Sequence, residues 1–439
     1  MSGFEISKAR RESKISEKII YQVFLRTFTP EGTIRAATRK LSHIASLGVD
    51  IVYVVSCCKA DGDENREYWS PRQRQSGIDN PRNPYRICDY FRIDEEYGDE
   101  SDLKEFVDTA HSLGLLVMWD LVYMHCGPSE FPEKNPDFVC RDENGELIYN
   151  SYHFPNLDFD NPKLREYLWE NMLYWVREFD IDGYRCDVGD EIPLDFWREG
   201  RRRIEQIKPK FLMLNEGEKA EYLVDVFDAS YDFLWGKCIR RAVRGEYSCH
   251  DLRCASVGVA AKHPDGALVL RAYENHDYTN DSYENRLDRI APENADAATV
   301  INFLLDGVPF LYNGNEFADC RRHSMWRLGG DEFCMDWSRL DSETGRRRMA
   351  LVRELCRLRH EERALCYGET LWEKTENIAK FVRELDREKI CVAANFQSQP
   401  VTVPTIYGEI LISGRVQITE AGVTLLGGGY IAVRQKEEV

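Results

Sequence analysis

The feature that most constrains this chain is an alternation. Short apolar runs rich in β-branched and aromatic residues are each followed by a longer stretch with helical spacing. The runs are Ile19–Phe24, Ile51–Val55, Leu115–Val122, Gly183–Cys186, Phe211–Leu214, Leu268–Tyr273 and Pro309–Tyr312, with an eighth placed near Tyr231–Leu234. Between them, Thr33–Leu47, Ser101–Leu113, Pro162–Phe179, Leu194–Ile207 and Arg346–Glu361 read as helices. Strands bounded by Gly or Asp and separated by helices specify a parallel α/β sheet. Eight such units close into a (β/α)8 barrel, and 439 residues leave room for an accessory module.

Two stretches break the rhythm. Residues 126–160 are polar and rich in Pro and Asn, and they interrupt the passage from the third strand to its helix. They are expected to form an inserted loop or small domain. Beyond about Leu365 the pattern changes to short alternating runs, Ile378–Arg383, Ile390–Asn395, Ile406–Ile412 and Tyr430–Val433. These predict an antiparallel β-sandwich. The expected organisation is a barrel built from 1–125 and 161–365, an insertion at 126–160, and a C-terminal β domain at 366–439.

Charge narrows the partners. A formal net charge of −18 repels phosphate backbones, which argues against nucleic acid and anionic membranes. No run of 18 apolar residues is present, so no transmembrane helix is expected. The 14 cysteines include no CxxC pair, and the opening MSGFEISKARRESK has no apolar leader core. Reduced thiols without an export signal predict a cytoplasmic protein.

In a parallel barrel the active site forms at the C-terminal ends of the strands. The third run ends in Asp120, with His125 five residues on. The fourth delivers Arg185 and Asp187, the fifth Asn215 and Glu216, and the seventh His276 and Asp277. Acids at strand ends also serve as helix N-caps, but capping alone does not assemble such a set after four different strands. Two carboxylates facing one glycosidic bond divide into nucleophile and general acid. Arg185 is expected to hold Asp187 ionised. Crowding by carboxylates is expected to keep Glu216 protonated. Asp277 is placed as a fixed charge that stabilises an oxocarbenium-like transition state, and the two histidines as donors to sugar hydroxyls. The spacing matches neither HExxH nor a paired-His site, so no catalytic metal is expected.

These residues resemble the α-amylase family of glycoside hydrolases (family 13). DLVYMH (Asp120–His125) is similar to its first signature and GYRCD (Gly183–Asp187) to its second. LNEGE carries the matching acid Glu216, and YENHD the matching His276 and Asp277. NPYRICDY supplies Tyr85 for stacking on a sugar ring, and GVPFLYNGNE resembles the run at the eighth strand. The resemblance covers about Ile19 to Arg359. It implies a domain inserted after the third strand, a C-terminal β module, and retention of anomeric configuration. DVGDEIPLDFW (Asp187–Trp197) and ADCRRHSMW look like the neopullulanase and cyclomaltodextrinase group. In that group the residue matching Glu191 lies by the acceptor subsite, and the substrates are small α-glucans.

Two departures bear on ligands. Met124 stands where the family has a calcium-binding Asn, and a soft thioether suits calcium poorly. No cofactor is therefore required, and the structural calcium is brought into doubt. Gly217 follows the acid where many members carry an aromatic residue, and opens the acceptor side. Transglycosylation and exo-acting α-glucosidase activity use the same covalent intermediate and remain open. So does a sugar-binding barrel without turnover, as does the oligomeric state.

Overall fold

The computed structural model describes residues 5–281, 286–420 and 422–435. Eight parallel strands organise it: β1 (Ile20–Val23), β2 (Ile51–Val54), β3 (Leu116–Leu121), β4 (Gly183–Cys186), β5 (Leu212–Asn215), β6 (Ala229–Ser230), β7 (Leu270–Arg271) and β8 (Val308–Tyr312). They pair in the order β6-β5-β4-β3-β2-β1-β8-β7. The two ends meet at a parallel bridge between Ser230 and Val269, where the Ser230 N–H donates to the Leu268 carbonyl at 3.1 Å. The sheet thus closes into the expected barrel. Strands covered on both faces bury every position, which is why β1, β2, β4, β5 and β8 are continuous apolar or aromatic runs with few polar interruptions. Packing between β4 and β5 leaves no room for a side chain at Gly183, where a Cβ would lie 2.8 Å from the Leu212 carbonyl.

Helices follow the strands for local reasons. Glu100–Ser112 begins in a reciprocal capping box between Asp99 and Asp102 and buries Leu103, Phe106, Val107 and Ala110 along one stripe. Pro162–Phe179 starts with proline in its first turn and ends at Asp180 in the left-handed region. Thr33–Leu47 divides into two short helices, Ile34–Thr38 and Leu41–Ala45, separated by a turn at Arg39 and Lys40.

Two strand expectations shift, and one strand pair is additional. The sixth strand is Ala229–Ser230, earlier than the run at 231–234. Asp232 instead caps a helix at Phe233–Ala242 by accepting the Trp235 N–H at 2.8 Å, and the apolar run belongs to that helix. The seventh strand keeps only the two residues Leu270 and Arg271 of its longer run. An antiparallel pair, Cys58–Ala60 with Ile87–Ile93, follows β2 and was not anticipated.

The 126–160 segment holds a helix at Glu130–Lys134 and is folded by bridges Val139↔Leu157, Arg141↔Leu147 and Tyr149↔Pro155. A further bridge, His125↔Asn156, ties it to the strand-end loop. The C-terminal strands β9 (Glu369–Trp372), β10 (Ala379–Leu385), β11 (Glu388–Ala394), β12 (Val401–Val403), β13 (Glu409–Thr419) and β14 (Gly422–Gln435) form one six-stranded antiparallel sheet. It is fastened to the barrel by polar contacts: Asn294 Nδ2 donates to the Phe396 carbonyl at 3.0 Å, and Trp372 Nε1 to Ser256 Oγ at 3.1 Å. Among the described residues no helix is long and apolar enough to cross a membrane.

Candidate active site

Register assembles the first part of the site. Asp120 on β3 is the Cα partner of Arg185 on β4, and Cys186 partners Asn215 on β5. Residues paired across parallel strands point the same way, so Asp120 and Arg185 meet inside the barrel mouth. The fully buried Arg185 guanidinium joins three carboxylates. Its Nη1 donates to Asp120 Oδ1 and to Asp187 Oδ1, both at 2.8 Å, and its Nη2 lies 2.7 Å from Glu216 Oε1. Asp187 and Glu216 therefore face one another across a single cation.

The turn after β4 is strained. Val188 has φ +43°, a left-handed conformation that a β-branched residue rarely adopts. In that conformation its N–H donates to Glu216 Oε2 at 2.9 Å. The strain sits immediately after Asp187 and couples its turn to the turn carrying Glu216.

The third acid arrives from the loop after β7. Asn275 caps a short helix by accepting the Asp277 and Tyr278 N–H groups, each at 2.9 Å. Capping thus falls to Asn275, and among the described residues Asp120, Asp187, Glu216 and Asp277 cap no helix. His276 is buried, its Nε2 2.5 Å from the Tyr85 hydroxyl and 3.5 Å from Asp277 Oδ2. Tyr85, in the turn before the Ile87–Ile93 strand, also reaches Asp120 Oδ2 at 3.2 Å, and Tyr53 on β2 reaches the same oxygen at 2.9 Å. His125 is buried under Phe154, with ring centroids 4.6 Å apart, and neither of its ring nitrogens has a hydrogen-bond partner among the described residues.

Burial shapes the electrostatics. It is the largest influence on Asp187 and raises it well above the usual carboxylate range; Arg185 opposes this and Glu216 adds to it. The expected lowering by Arg185 is present but outweighed. Burial likewise raises Glu216, with Arg185 opposing and Asp277 reinforcing. For Asp277, whose carboxylate is 39% exposed in the cleft, desolvation by the walls is the largest influence and acts upward. His276, Arg72 and Arg185 together outweigh it and hold Asp277 below its ordinary value. Burial pushes His125 down to about 3 and His276 to about 4, so both rings are neutral at pH 7.

These side chains line a cleft of about 1110 Å³, with Tyr85, His125, Asp187, Glu216 and Asp277 in its walls. Asp120, Arg185 and His276 lie behind these walls, Arg185 touching Asp187 and Glu216, and Asp120 and His276 touching Tyr85. Glu191 stands on the rim, its side chain 56% exposed and 3.7 Å from Lys219 Nζ. Three contributors were not anticipated. Arg72 donates to Asp277 Oδ1, to the His276 carbonyl and to the Asp277 carbonyl, each at 3.1 Å. Asp190 Oδ1 accepts the Asn215 amide at 2.7 Å, and its Oδ2 accepts the Glu218 and Lys219 N–H groups at 2.6 and 2.8 Å. Gln22 on β1 contacts His276 Nδ1 at 2.8 Å. Arg72 lies 205 residues from Asp277 and Gln22 lies 254 from His276, so no local spacing could have announced them. Asp190 had a signal in its position within DVGDE, three residues past Asp187.

Known proteins share this arrangement of elements. The chain is 25% identical to an alpha-amylase, MalA, of Haloarcula japonica over 88% of its own length and 56% of that relative's. It therefore spans little more than half of that protein. It is 26% identical to a cyclomaltodextrinase from a Bacillus species, covering 87% of this chain and 73% of the other. The crystal structure of an alpha-amylase from Lactobacillus plantarum superposes with a TM-score of 0.78 at 23% identity, covering 97% of this chain and all of that one, which shows a common fold. The family described as "Alpha amylase, catalytic domain" matches residues 7–138 and 141–349, which include all eight barrel strands and the cleft residues. The chain belongs to the alpha-amylase family of glycoside hydrolases.

Proposed function

We propose that this chain is a retaining α-glycoside hydrolase acting on small α-glucans, with Asp187 as nucleophile, Glu216 as general acid/base and Asp277 as stabiliser of the transition state. The observation that carries this reading is the single guanidinium of Arg185 bridging Asp187 and Glu216 at 2.8 and 2.7 Å within a sugar-sized cleft. Double displacement requires one proton for the pair, held by the acid while the nucleophile is charged. A site in which burial raises both carboxylates and one cation is shared between them favours that singly protonated state.

In this reading Asp187 attacks the anomeric carbon as Glu216 protonates the departing oxygen, and a water activated by Glu216 then releases the sugar. Asp277, kept ionised by Arg72 and Arg185, faces the positive charge that develops on the ring. The unpartnered nitrogens of His125 and the ring of Tyr85 supply hydrogen-bonding and stacking surface for the sugar. The cyclomaltodextrinase relative supports short or cyclic maltodextrins as substrates. Tyr152 and Phe233, 51% and 37% exposed in the cleft lining, are suited to stack on further rings.

The reaction is proposed to need no metal. Met124 packs against the apolar core, and its thioether is a soft group that hard calcium does not favour. That residue does not fit the structural calcium that the family resemblance brings to mind.

The test is product analysis on maltoheptaose with the wild type and Asp187→Asn. The wild type is expected to release α-anomers first, observed by proton NMR, and the amide variant to fold but lose at least a thousandfold in kcat. Release of β-anomers, or an Asp187→Asn variant of near wild-type rate, refutes the assignment.

A further inference from the structure

The two contacts of Gln22 with His276 fix more than position. Gln22 is fully buried on β1, and its side-chain amide spans two atoms of one residue. Its Oε1 accepts the His276 backbone N–H at 3.2 Å, and its Nε2 stands 2.8 Å from the His276 ring at Nδ1. A backbone N–H can only donate, so the amide oxygen must face it. The NH2 group is thereby turned toward the ring, and it too can only donate. Nδ1 must therefore accept and carries no proton.

We propose that Gln22 is a positioning residue that locks His276 as the Nε2–H tautomer, so that the ring directs its one proton at the Tyr85 hydroxyl behind the cleft wall. The proposal rests on the reading of the cleft as a glycosidase site for its functional meaning, but not for the tautomer itself. Nε2–H points to the Tyr85 oxygen at 2.5 Å, and the Tyr85 hydroxyl in turn donates to Asp120 Oδ2 at 3.2 Å. A carboxylate only accepts, so every hydrogen in the row from Gln22 to Asp120 runs in one direction. Reversing the tautomer would set two N–H groups against each other at Gln22 and leave two acceptors, Nε2 and the Asp120 oxygen, competing for the Tyr85 proton. An imidazolium meets the same donor conflict at Nδ1, and burial independently disfavours its charge.

The other groups facing the ring are compatible with this polarity. Asp277 Oδ2, 3.5 Å from Nε2, is an acceptor. Phe24, with its ring centroid 6.0 Å away, offers no polar atom. Arg72 and Asn280 donate to the His276 carbonyl and hold the backbone rather than the ring. Arg185 and Asp120 complete the charged surroundings. The lock thereby fixes the Tyr85 hydroxyl and, through it, the Tyr85 ring that lines the cleft.

The experiment uses the full chain labelled with 15N-histidine, and long-range proton–nitrogen correlation at neutral pH without substrate. The His276 signals are assigned by their loss in His276→Gln. The expected spectrum shows a protonated Nε2 and a bare, pyridine-type Nδ1. Gln22→Glu, which places acceptors on both His276 atoms, is expected to draw a proton onto Nδ1. Gln22→Met, which keeps the volume but offers nothing to the ring, is expected to give mixed tautomers. In both variants kcat on maltoheptaose is expected to fall roughly ten- to a hundredfold, the effect of losing one oriented donor. A wild-type ring protonated at Nδ1 overturns the proposal, as does a Gln22→Glu ring unchanged from wild type. Should both variants fail to fold, the wild-type spectrum decides alone. An inactive wild type with Nε2–H would refute the glycosidase reading and leave the tautomer lock standing.

Discussion

Removing the Asp190 carboxylate should uncouple the general acid from its support without touching any reacting atom. Asp190 holds the 216–219 turn through three hydrogen bonds of 2.6–2.8 Å, to the Glu218 and Lys219 N–H groups and to the Asn215 amide. Glu218 and Lys219 are exposed, so in Asp190→Ala water takes over their N–H groups at little cost. Asn215 is fully buried, and its amide would lose its partner, a penalty of about 1–3 kcal/mol. At about 2.1 cal/mol/K per residue of unfolding entropy, a loss of about 2 kcal/mol lowers Tm by only roughly 2 °C for this length. Activity should suffer far more, because displacing an acid by about 1 Å costs on the order of a hundredfold.

The assay compares two substrates. A maltooligosaccharide leaving group needs protonation, whereas a dinitrophenyl α-glucoside departs without it, so only the first should feel a misplaced Glu216. Gly217→Ala should act through the same contact, since its Cβ would overlap the Asp190 carboxylate. The double variant should then be no worse than Asp190→Ala alone, a non-additivity expected of groups that share one contact. Equal losses on both substrates, or strictly additive effects, would show that Asp190 merely supports the fold.

Because burial raises both Asp187 and Glu216, both limbs of the kcat/KM profile should lie above the ordinary carboxylate range of about 4. The nucleophile sheds its proton only above its raised value, so the rate falls as pH drops through it. The acid keeps its proton to higher pH than a free carboxyl, so the rate falls again as pH rises through its own. A plateau extending undisturbed down to pH 4 in folded protein would contradict this. Chelation of divalent cations should leave Tm within about 1 °C, given the apolar packing of Met124 and the usual size of linkage effects; a drop of many degrees would reveal a bound ion.

The barrel and its three acids were legible in the sequence for one reason. Parallel strands buried on both faces must be apolar throughout, so a polar residue directly after such a run marks the barrel mouth. Asp120, Asp187, Glu216, His276 and Asp277 stand out on that basis, although β7 itself keeps only Leu270 and Arg271 of the run that precedes His276. Where the run was ambiguous the reading slipped: Phe233 to Trp235 is as apolar as a strand, and only the cap from Asp232 to Trp235 made it a helix.

The state of the site was decided elsewhere. From the sequence, Arg185 two residues before Asp187 implied a lowered carboxyl, but charge attraction is only one side of the balance. The depth of burial, which outweighs it, is set by walls drawn from every part of the chain. The same holds for Gln22 and Arg72, whose partners lie more than 200 residues away. Periodicity reports which face of an element is buried, because that preference acts along the local chain. Hydrogen-bond partners and desolvation depend on which elements meet in space, and only barrel closure brings these together.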